Sequence, residues 1–208
     1  MTSRGMMTWV FATCAAVGAV ILSARPAIAQ APEKVGAASC ANCHQEKWES
    51  FKTSLHARSL TERKGIALEQ ACETCHGAGS QHADAAGDKS NPGFATIKNP
   101  AKLSSKDVNG ICLTCHESGD RMFWKGGPHE SRNVSCAACH SVHQPESSGK
   151  QALLKTDTAA ETCYGCHKDK KAQMERSAHM PVREGKMSCT DCHTPHGSST
   201  ARQLKGED

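Results

Sequence analysis

The amino-acid sequence predicts a mostly irregular fold with short α-helices, and an interior that ordinary side-chain packing does not fill. Only 4% of the 208 residues are aromatic, whereas the chain holds 13 cysteines and 12 histidines. Neither the linker 83–110 nor the segment 144–149 alternates apolar and polar residues for long enough to predict a strand. A short cysteine-containing motif recurs six times. These observations predict short helices and loops organised around the repeated motif.

The first 29 residues are predicted to be a secretory signal peptide. Arg4 precedes an apolar stretch from Met6 to Leu22, and Ala27-Ile28-Ala29 is a small-residue cleavage site. The alternative is an uncleaved membrane anchor, because the apolar stretch approaches the length of a spanning helix. We expect cleavage. It would leave residues 30–208 as a single exported domain without a transmembrane segment.

Outside this segment, all twelve cysteines belong to the motif Cys-x-x-Cys-His. In chain order, motifs 1 to 6 consist of Cys40, Cys43 and His44; Cys72, Cys75 and His76; Cys112, Cys115 and His116; Cys136, Cys139 and His140; Cys163, Cys166 and His167; and Cys189, Cys192 and His193. This motif is the attachment signature of c-type haem. Its two thiols add to the vinyl groups of one porphyrin, and the adjoining imidazole binds the iron.

Three other uses of cysteine pairs account for the motif less well. Disulfide scaffolds, zinc sites and redox-active dithiols all employ paired cysteines. None of them requires a histidine directly after the second cysteine, and here one follows in all six motifs. We therefore expect six covalently bound haem c groups.

The six histidines outside the motifs equal the number of second axial ligands that six haems require. They recur regularly and define three two-haem units, 40–82, 112–143 and 163–196. In each unit one histidine follows the first motif by 12 or 13 residues, and another follows the second motif by three or six. We predict these as the distal iron ligands: His56, His82, His129, His143, His179 and His196.

Spacing restricts which haem each distal histidine serves. Three residues of extended chain span at most about 10–11 Å, less than the separation of two histidine Cα atoms on opposite sides of one iron. His143 and His196 are therefore expected to reach a haem other than that of the motif directly before them. The 12-residue spacing instead predicts a helix that carries its histidine at the far end. Its apolar stripe would face porphyrin through Trp48, Phe51 and Leu55.

The remaining segments carry fewer signals. The linker 83–110 is predicted to be a loop with one helical turn around 106–109, and Gly77-Ala78-Gly79-Ser80 a tight turn close to a haem. The net charge of +4 becomes negative once haem propionates are added, so nucleic-acid binding is not expected. Alternative axial ligands would be Met122, Met174, Met180 and Met187.

Four segments resemble a known family. FKTSLH (51–56), CETCHGAGSQH (72–82), VSCAACHSVH (134–143) and MSCTDCHTPHG (187–197) are similar to the periplasmic multihaem cytochromes of the MtrA/DmsE type and to the pentahaem NrfB type. The resemblance implies a multihaem cytochrome c wire with bis-histidine ligation and short helices, the chain wrapped around stacked haems. It also implies a periplasmic location, with association to the outer membrane left open. Its decahaem members pass electrons through an outer-membrane porin, whereas this chain has six motifs.

The expected function is electron transfer without catalysis. A hexahaem cytochrome of this kind would connect a quinol-linked cytochrome to a terminal reductase or to an outer-membrane porin–cytochrome complex. The alternative is a multihaem reductase of nitrite or hydroxylamine, which needs one iron with an open axial position. A third possibility is a repeat that polymerises into a haem filament.

Overall fold

The computed structural model describes Met1 and residues 31–144, 148–176 and 180–206. Apart from Met1, the predicted signal peptide lies outside the described residues, and so does His179. The chain divides into two compact units, Met1–Ala31 and Pro32–Asp208, and the second contains all six motifs. Within the described part of the chain, no helix is long and apolar enough to cross a membrane.

Short helices joined by turns build the second unit. The α-helices of the described residues are α1 (Gly36–Lys52), α2 (Leu55–Lys64), α3 (Ala71–His76), α4 (Ser80–Asp84), α5 (Ser105–Leu113), α6 (Pro128–Ser131), α7 (Cys136–Cys139), α8 (Ala159–Tyr164), α9 (Lys168–Arg176) and α10 (Cys189–Cys192). Tighter 3₁₀ turns occupy Leu68–Gln70, Pro92–Ala95, Gly119–Arg121, Gln151–Leu153 and Ala201–Gln203. Across 31–144, 148–176 and 180–206, extended pairing is limited to two isolated bridges, His140 with Leu154 and His193 with Leu204. The predicted mostly irregular fold with short helices is confirmed.

The single helix predicted between His44 and His56 is wrong. Helix α1 is kinked at His44, where φ is −116° and ψ is 42°, and it ends at Lys52. Ser54 then adopts an extended conformation and caps α2, its hydroxyl accepting a hydrogen bond from the Ala57 N–H. A serine hydroxyl that satisfies a free N–H favours a new helix start over a continuous helix. Two helices therefore share the predicted apolar stripe.

Side-chain caps begin several of the other helices. Thr158 and Glu161 form a reciprocal capping box at α8, and Ser188 and Asp191 form one at α10. Ser104 caps α5, which runs from 105 to 113 and is longer than the single turn predicted for this linker. The capping boxes therefore mark the starts of α8 and α10, the helices that carry the first cysteines of motifs 5 and 6.

The side-chain core is small. Its buried cluster joins α1, α2 and α3 and consists of Phe51, Ala57, Leu60 and Ala71, with Ile66 and Leu68 packed against it. Phe51 thus packs against protein side chains, and its ring also meets His143 edge-on at 6.0 Å. The expectation that Phe51 faces porphyrin in place of a protein core is corrected accordingly.

A buried carboxylate ties motifs 1 and 2 together. Glu73, only 4% exposed, accepts hydrogen bonds from the backbone N–H groups of Val35, Gly36 and Gly79 at 2.9–3.0 Å. Burial raises the pKa of this carboxyl, but the three hydrogen bonds and the charge of Lys34 outweigh burial, so its pKa lies below the ordinary value. Glu73 therefore anchors the start of α1 to the turn that follows motif 2.

Asn109 plays a comparable part between motifs 3 and 4. Its side chain is buried, donates to the Val134 carbonyl at 3.1 Å and accepts from the Cys136 N–H at 2.8 Å. Helix α5, which leads into motif 3, is thereby joined directly to the first cysteine of motif 4.

Candidate haem-binding sites

Each motif begins within a helix, in chain order α1, α3, α5, α7, α8 and α10. In motifs 3 to 6 the N–H of the motif histidine donates to the carbonyl of the first cysteine at 2.9–3.1 Å. The two cysteines are three residues apart, so their side chains lie on one face of the turn. None of the twelve motif cysteines forms a disulfide. Both thiols of every motif are therefore available to a porphyrin.

Histidine rings face one another in pairs. Each pair joins a motif histidine to a predicted distal histidine. Ring centres are 6.3 Å apart for His44 and His82, 6.0 Å for His76 and His143, 5.9 Å for His116 and His56, 6.1 Å for His140 and His196, and 6.2 Å for His167 and His129. His193 of motif 6 has no ring partner among the described residues, and the remaining predicted ligand, His179, lies outside them.

The separation within these pairs fits two imidazoles on opposite sides of one metal ion. A metal–nitrogen bond of about 2.0–2.1 Å, with the ring centre about 1 Å behind the ligating nitrogen, gives about 6 Å between ring centres when applied on both sides. The residues present therefore fit a haem iron with imidazole on both axial faces. Of the described residues, no group of three or more histidines, cysteines and carboxylates is placed to hold a metal ion.

Four of these pairs cross from one two-haem unit to another. His56 of the first unit meets motif 3 in the second, and His143 of the second unit meets motif 2 in the first. The second and third units exchange His129 and His196 in the same way. The pair of motif 1 stays within the first unit. His143 and His196 thus lie beside a motif histidine other than the one three residues before them.

Backbone carbonyls orient five of the imidazoles. The Nδ1 atoms lie 2.7–3.0 Å from a carbonyl oxygen in these contacts: His76 with Lys98, His82 with Phe94, His129 with Pro195, His140 with Ala152 and His193 with Arg202. A ring that donates its Nδ1–H in this way presents Nε2 to a metal. Sequence reasoning missed these acceptors because a backbone carbonyl leaves no residue-type signature.

The carbonyls that hold His140 and His193 come from two matching loops. In each loop a leucine, Leu154 or Leu204, forms a β-bridge with the motif histidine. The backbone N–H of the lysine that follows donates to the backbone carbonyl of the second motif cysteine. Each loop also holds two consecutive non-glycine residues with φ of +50° to +58°: Ala152, Leu153, Arg202 and Gln203. Left-handed backbone costs such residues roughly 1–2 kcal/mol each. The shared Leu-Lys at 154–155 and 204–205 was the available sequence signal.

Contacts between cysteines show how the motifs follow one another. Within each unit the side chains of the first cysteines of the two motifs lie close enough to interact: Cys40 with Cys72, Cys112 with Cys136 and Cys163 with Cys189. Burial and the neighbouring Cys40 thiol raise the pKa of Cys72 to about 11. Contacts between units follow the same pattern. Burial raises the pKa of Cys75, and the nearby Cys112 of the second unit raises it further. Burial likewise raises the pKa of Cys139, and the nearby Cys166 of the third unit adds to that effect. Successive motifs are therefore spatial neighbours.

Among the described residues, two buried donors beside the histidine pairs have no protein acceptor. Trp124 is buried, its Nε1–H has no partner, and its ring centre is 6.3 Å from that of His196. The Nδ1 of His56 is likewise buried and unpartnered. Unpaired buried donors are costly and fit a site whose bound group supplies further contacts. The alternative ligands Met122 and Met180 are 62% and 40% exposed, whereas motifs 1 to 5 each face an imidazole.

Comparison with known proteins gives family matches along the chain. Residues 39–71 match the model for cytochrome c554 and c-prime, residues 72–158 the model for cytochrome c-type protein NrfB-like, and residues 179–208 the doubled CXXCH motif. The multiheme cytochrome MtrA of Shewanella baltica (strain OS185) is 34% identical over 171 residues, which cover 81% of this chain and 49% of that protein. The chain thus spans about half the length of the curated relative it matches.

These matches agree with the paired imidazoles and with the recurring attachment motif, which indicates covalently bound haem c. They bear out the resemblance stated from the sequence and support a role in electron transfer. The chain is a multihaem c-type cytochrome of the MtrA and NrfB type.

Proposed function

We propose that the chain is a periplasmic hexahaem cytochrome that relays electrons between a quinol-linked donor and a terminal reductase or an outer-membrane conduit. The observation that carries this proposal is the set of five imidazole pairs at 5.9–6.3 Å. An iron with imidazole on both faces has no position left for a substrate. The pairs therefore support an electron carrier over a reductase.

Each part of the chain has a role in this proposal. Every bound haem would supply one reversible one-electron centre. The twelve cysteines hold the haems covalently, and the histidine pairs close both axial positions. The Nδ1 contacts to backbone carbonyls hold the rings in place, which limits rearrangement when the charge of a centre changes.

Motif 6 takes its second ligand from His179 in this proposal. Each of motifs 2 to 5 faces a distal histidine that belongs to a neighbouring unit, whereas motif 1 faces His82 of its own unit. The same rule applied at the C-terminal end leaves the distal histidine of the third unit, His179, for His193. The two ends of the array would then be capped in the same manner.

A continuous relay follows from the neighbour relations of the cysteines. Contacts run from motif 1 to motif 2, and on in chain order to motif 6. Electron transfer by hopping requires that each centre lie close to the next. The order of the motifs therefore supports a linear path that runs from motif 1 to motif 6.

Haem content and spin state test the proposal directly. Intact mass and a pyridine haemochrome assay should give six haems per chain, and electron paramagnetic resonance should show only low-spin ferric signals. Two or fewer haems would refute the hexahaem claim. A high-spin signal, or carbon monoxide binding to the reduced protein, would indicate an open axial position and favour the reductase.

Turnover separates carrier from enzyme. The fully reduced protein, mixed with excess ferricyanide under argon, should deliver six electrons per chain, one to each ferricyanide. Mixed with nitrite or hydroxylamine, it should stay reduced and form no ammonium. Stoichiometric ammonium with reoxidation of the haems would overturn the carrier assignment.

A further inference from the structure

Three of the distal histidines pack against an aromatic side chain. Ring centres are 6.0 Å apart for His143 and Phe51, 6.3 Å for His196 and Trp124, and 5.1 Å for His82 and Phe94. These distances lie within the range of about 4.5–7 Å over which aromatic rings attract one another in edge-on or offset arrangements. Phe51 and Trp124 are themselves buried, with 8% and 7% of their surface exposed. Each of these two residues therefore presents a fixed surface to the imidazole beside it.

These two buried aromatic residues belong to the unit that receives the histidine. His143 comes from the second unit and faces motif 2, whereas Phe51 belongs to the first unit, as motif 2 does. In the same way His196 comes from the third unit and faces motif 4, whereas Trp124 belongs to the second unit with that motif. Each receiving unit therefore provides both the motif histidine and the ring against which the incoming imidazole packs.

Backbone contacts next to the aromatic rings hold the same two histidine segments. The Ser50 hydroxyl donates a hydrogen bond to the His143 carbonyl. The residue after His196 is Gly197, whose backbone passes so close to the Phe123 carbonyl oxygen that a Cβ there would collide with it. Its φ of +102° is also one that residues with a side chain rarely adopt. Each incoming histidine segment is thus held at its backbone and at its ring by one short segment of the receiving unit.

The angle between the paired imidazoles follows the presence of an aromatic neighbour. The ring planes are 17–23° apart in the pairs of motifs 1, 2 and 4, whose distal histidines pack against phenylalanine or tryptophan. They are 62–68° apart in the pairs of motifs 3 and 5. Within the part of the chain that the structure describes, His56 and His129, the distal histidines of those two motifs, have no such neighbour.

Rotation of the imidazole explains why a neighbouring ring matters. The torsion that turns a histidine ring about its Cβ–Cγ bond has broad minima, so the plane of the ring is fixed by its surroundings. In the pairs of motifs 2 and 4 the motif histidines, His76 and His140, are held by Nδ1 contacts to backbone carbonyls. The aromatic contact acts on the other ring of each pair. Both rings of these two pairs are therefore oriented by the protein.

We propose that Phe51 and Trp124 are positioning residues for the exchanged ligands, which hold the imidazoles of His143 and His196 near parallel to those of the motif histidines. The inference rests on the proposed function, since it requires a haem iron between the paired rings. Without its aromatic neighbour the distal imidazole still binds, but it turns away from the parallel arrangement.

Electron paramagnetic resonance of the oxidised, haem-loaded chain tests this inference at motif 4, with Trp124→Leu as the variant. A low-spin ferric iron gives a rhombic signal when its axial imidazoles are parallel, and a signal with a large maximum g value when they are near perpendicular. Trp124→Leu should replace the rhombic signal of motif 4, identified as the one that His196→Ala removes, by a signal with a large maximum g value. Trp124→Phe, which keeps an aromatic ring, should retain the rhombic signal.

The matched control for this variant is Phe123→Leu. Phe123 is adjacent to Trp124, its side chain is 42% exposed, and the substitution keeps the backbone carbonyl that lies beside Gly197. All three rhombic signals should remain in Phe123→Leu.

A second variant makes the same test at motif 2. Phe51 also belongs to the buried cluster of α1, α2 and α3, so Phe51→Leu is compared with Leu60→Ala, which removes side-chain volume from that cluster and keeps the Phe51 ring. Phe51→Leu should remove the rhombic signal of motif 2, identified as the one that His143→Ala removes. Leu60→Ala should retain it.

The outcomes separate this inference from the proposed function. A rhombic signal retained at motif 4 in Trp124→Leu or at motif 2 in Phe51→Leu, with six low-spin haems bound, would refute the inference and leave the proposed function intact. Loss of the same signal in Phe123→Leu or Leu60→Ala would also overturn it, because the effect would then come from packing in general. High-spin iron in the unmodified chain would instead count against the proposed function.

Discussion

Glu73 provides a strong test of how this chain holds its first two motifs. The perturbation is Glu73→Gln in the haem-loaded protein. In the wild type, Oε1 accepts from the Val35 and Gly79 N–H groups at 2.9 Å, and Oε2 accepts from the Gly36 N–H at 3.0 Å. The amide of glutamine keeps one oxygen, but its NH₂ group must face a third N–H donor. One hydrogen bond is therefore lost and two are weakened.

The magnitude follows from the burial of this group. A hydrogen bond to a charged group contributes about 1.5–3 kcal/mol, and an unmade buried bond costs a further amount of similar size. We expect the free energy of unfolding to fall by about 2–4 kcal/mol. For a chain of this length about 1 kcal/mol corresponds to about 2–4 °C in Tm, so Tm should fall by roughly 5–15 °C.

Thermal unfolding followed by far-ultraviolet circular dichroism measures this effect, with Glu69→Gln as the control. Glu69 is an exposed carboxylate four residues away, and its replacement should change stability by no more than about 0.5 kcal/mol. The pKa of Glu73 is lowered in the folded state, so its contribution is complete above the unfolded pKa of about 4.3. It is lost as the pH falls through the folded value. Equal melting of the two variants at pH 7 would refute the role assigned to Glu73.

Three further predictions concern the histidine pairs and the loops that hold them. Ring planes are within 17–23° of parallel for the pairs of motifs 1, 2 and 4 but 62–68° apart for motifs 3 and 5. Electron paramagnetic resonance of the oxidised protein should therefore resolve three rhombic signals from motifs 1, 2 and 4, and two signals with a large maximum g value from motifs 3 and 5, in addition to the signal of motif 6. Six identical signals would contradict the pairing. His143→Ala should create one high-spin haem in the full protein, because His143 faces motif 2. It should create none in a Cys72→Ser/Cys75→Ser background, which removes the attachment cysteines of motif 2. His196→Ala should create one high-spin haem in both backgrounds, because His196 faces motif 4. Ala152→Gly, at a left-handed position, should leave the free energy of unfolding unchanged or raise it by up to about 1 kcal/mol. Its control, Ala172→Gly within α9, should lower the free energy of unfolding by about 1 kcal/mol. Equal effects of the two substitutions would show that the loop is not strained.

Local signals in the sequence were sufficient for the fold class and for the attachment motifs. Covalent haem attachment requires two thiols and an imidazole within five residues, so its signature is contiguous and legible. The boundaries of individual helices were less predictable. The apolar spacing of Trp48, Phe51 and Leu55 suits one helix, but the hydroxyl of Ser54 captures the Ala57 N–H and starts a second one. A capping hydrogen bond worth about 1 kcal/mol was enough to decide between them.

By itself, therefore, the sequence indicated covalently bound haem c and predicted the residue types that hold it: twelve cysteines in six motifs as attachment residues, and six further histidines at regular spacing as ligands. Only the tertiary structure decided which histidine meets which motif, because four of the five described pairs join residues of different units. It also decided which rings contact a backbone carbonyl, as His140 does and His56 does not. The physical reason is that ligand pairing and carbonyl contacts depend on how distant segments pack together, and no local spacing encodes that packing.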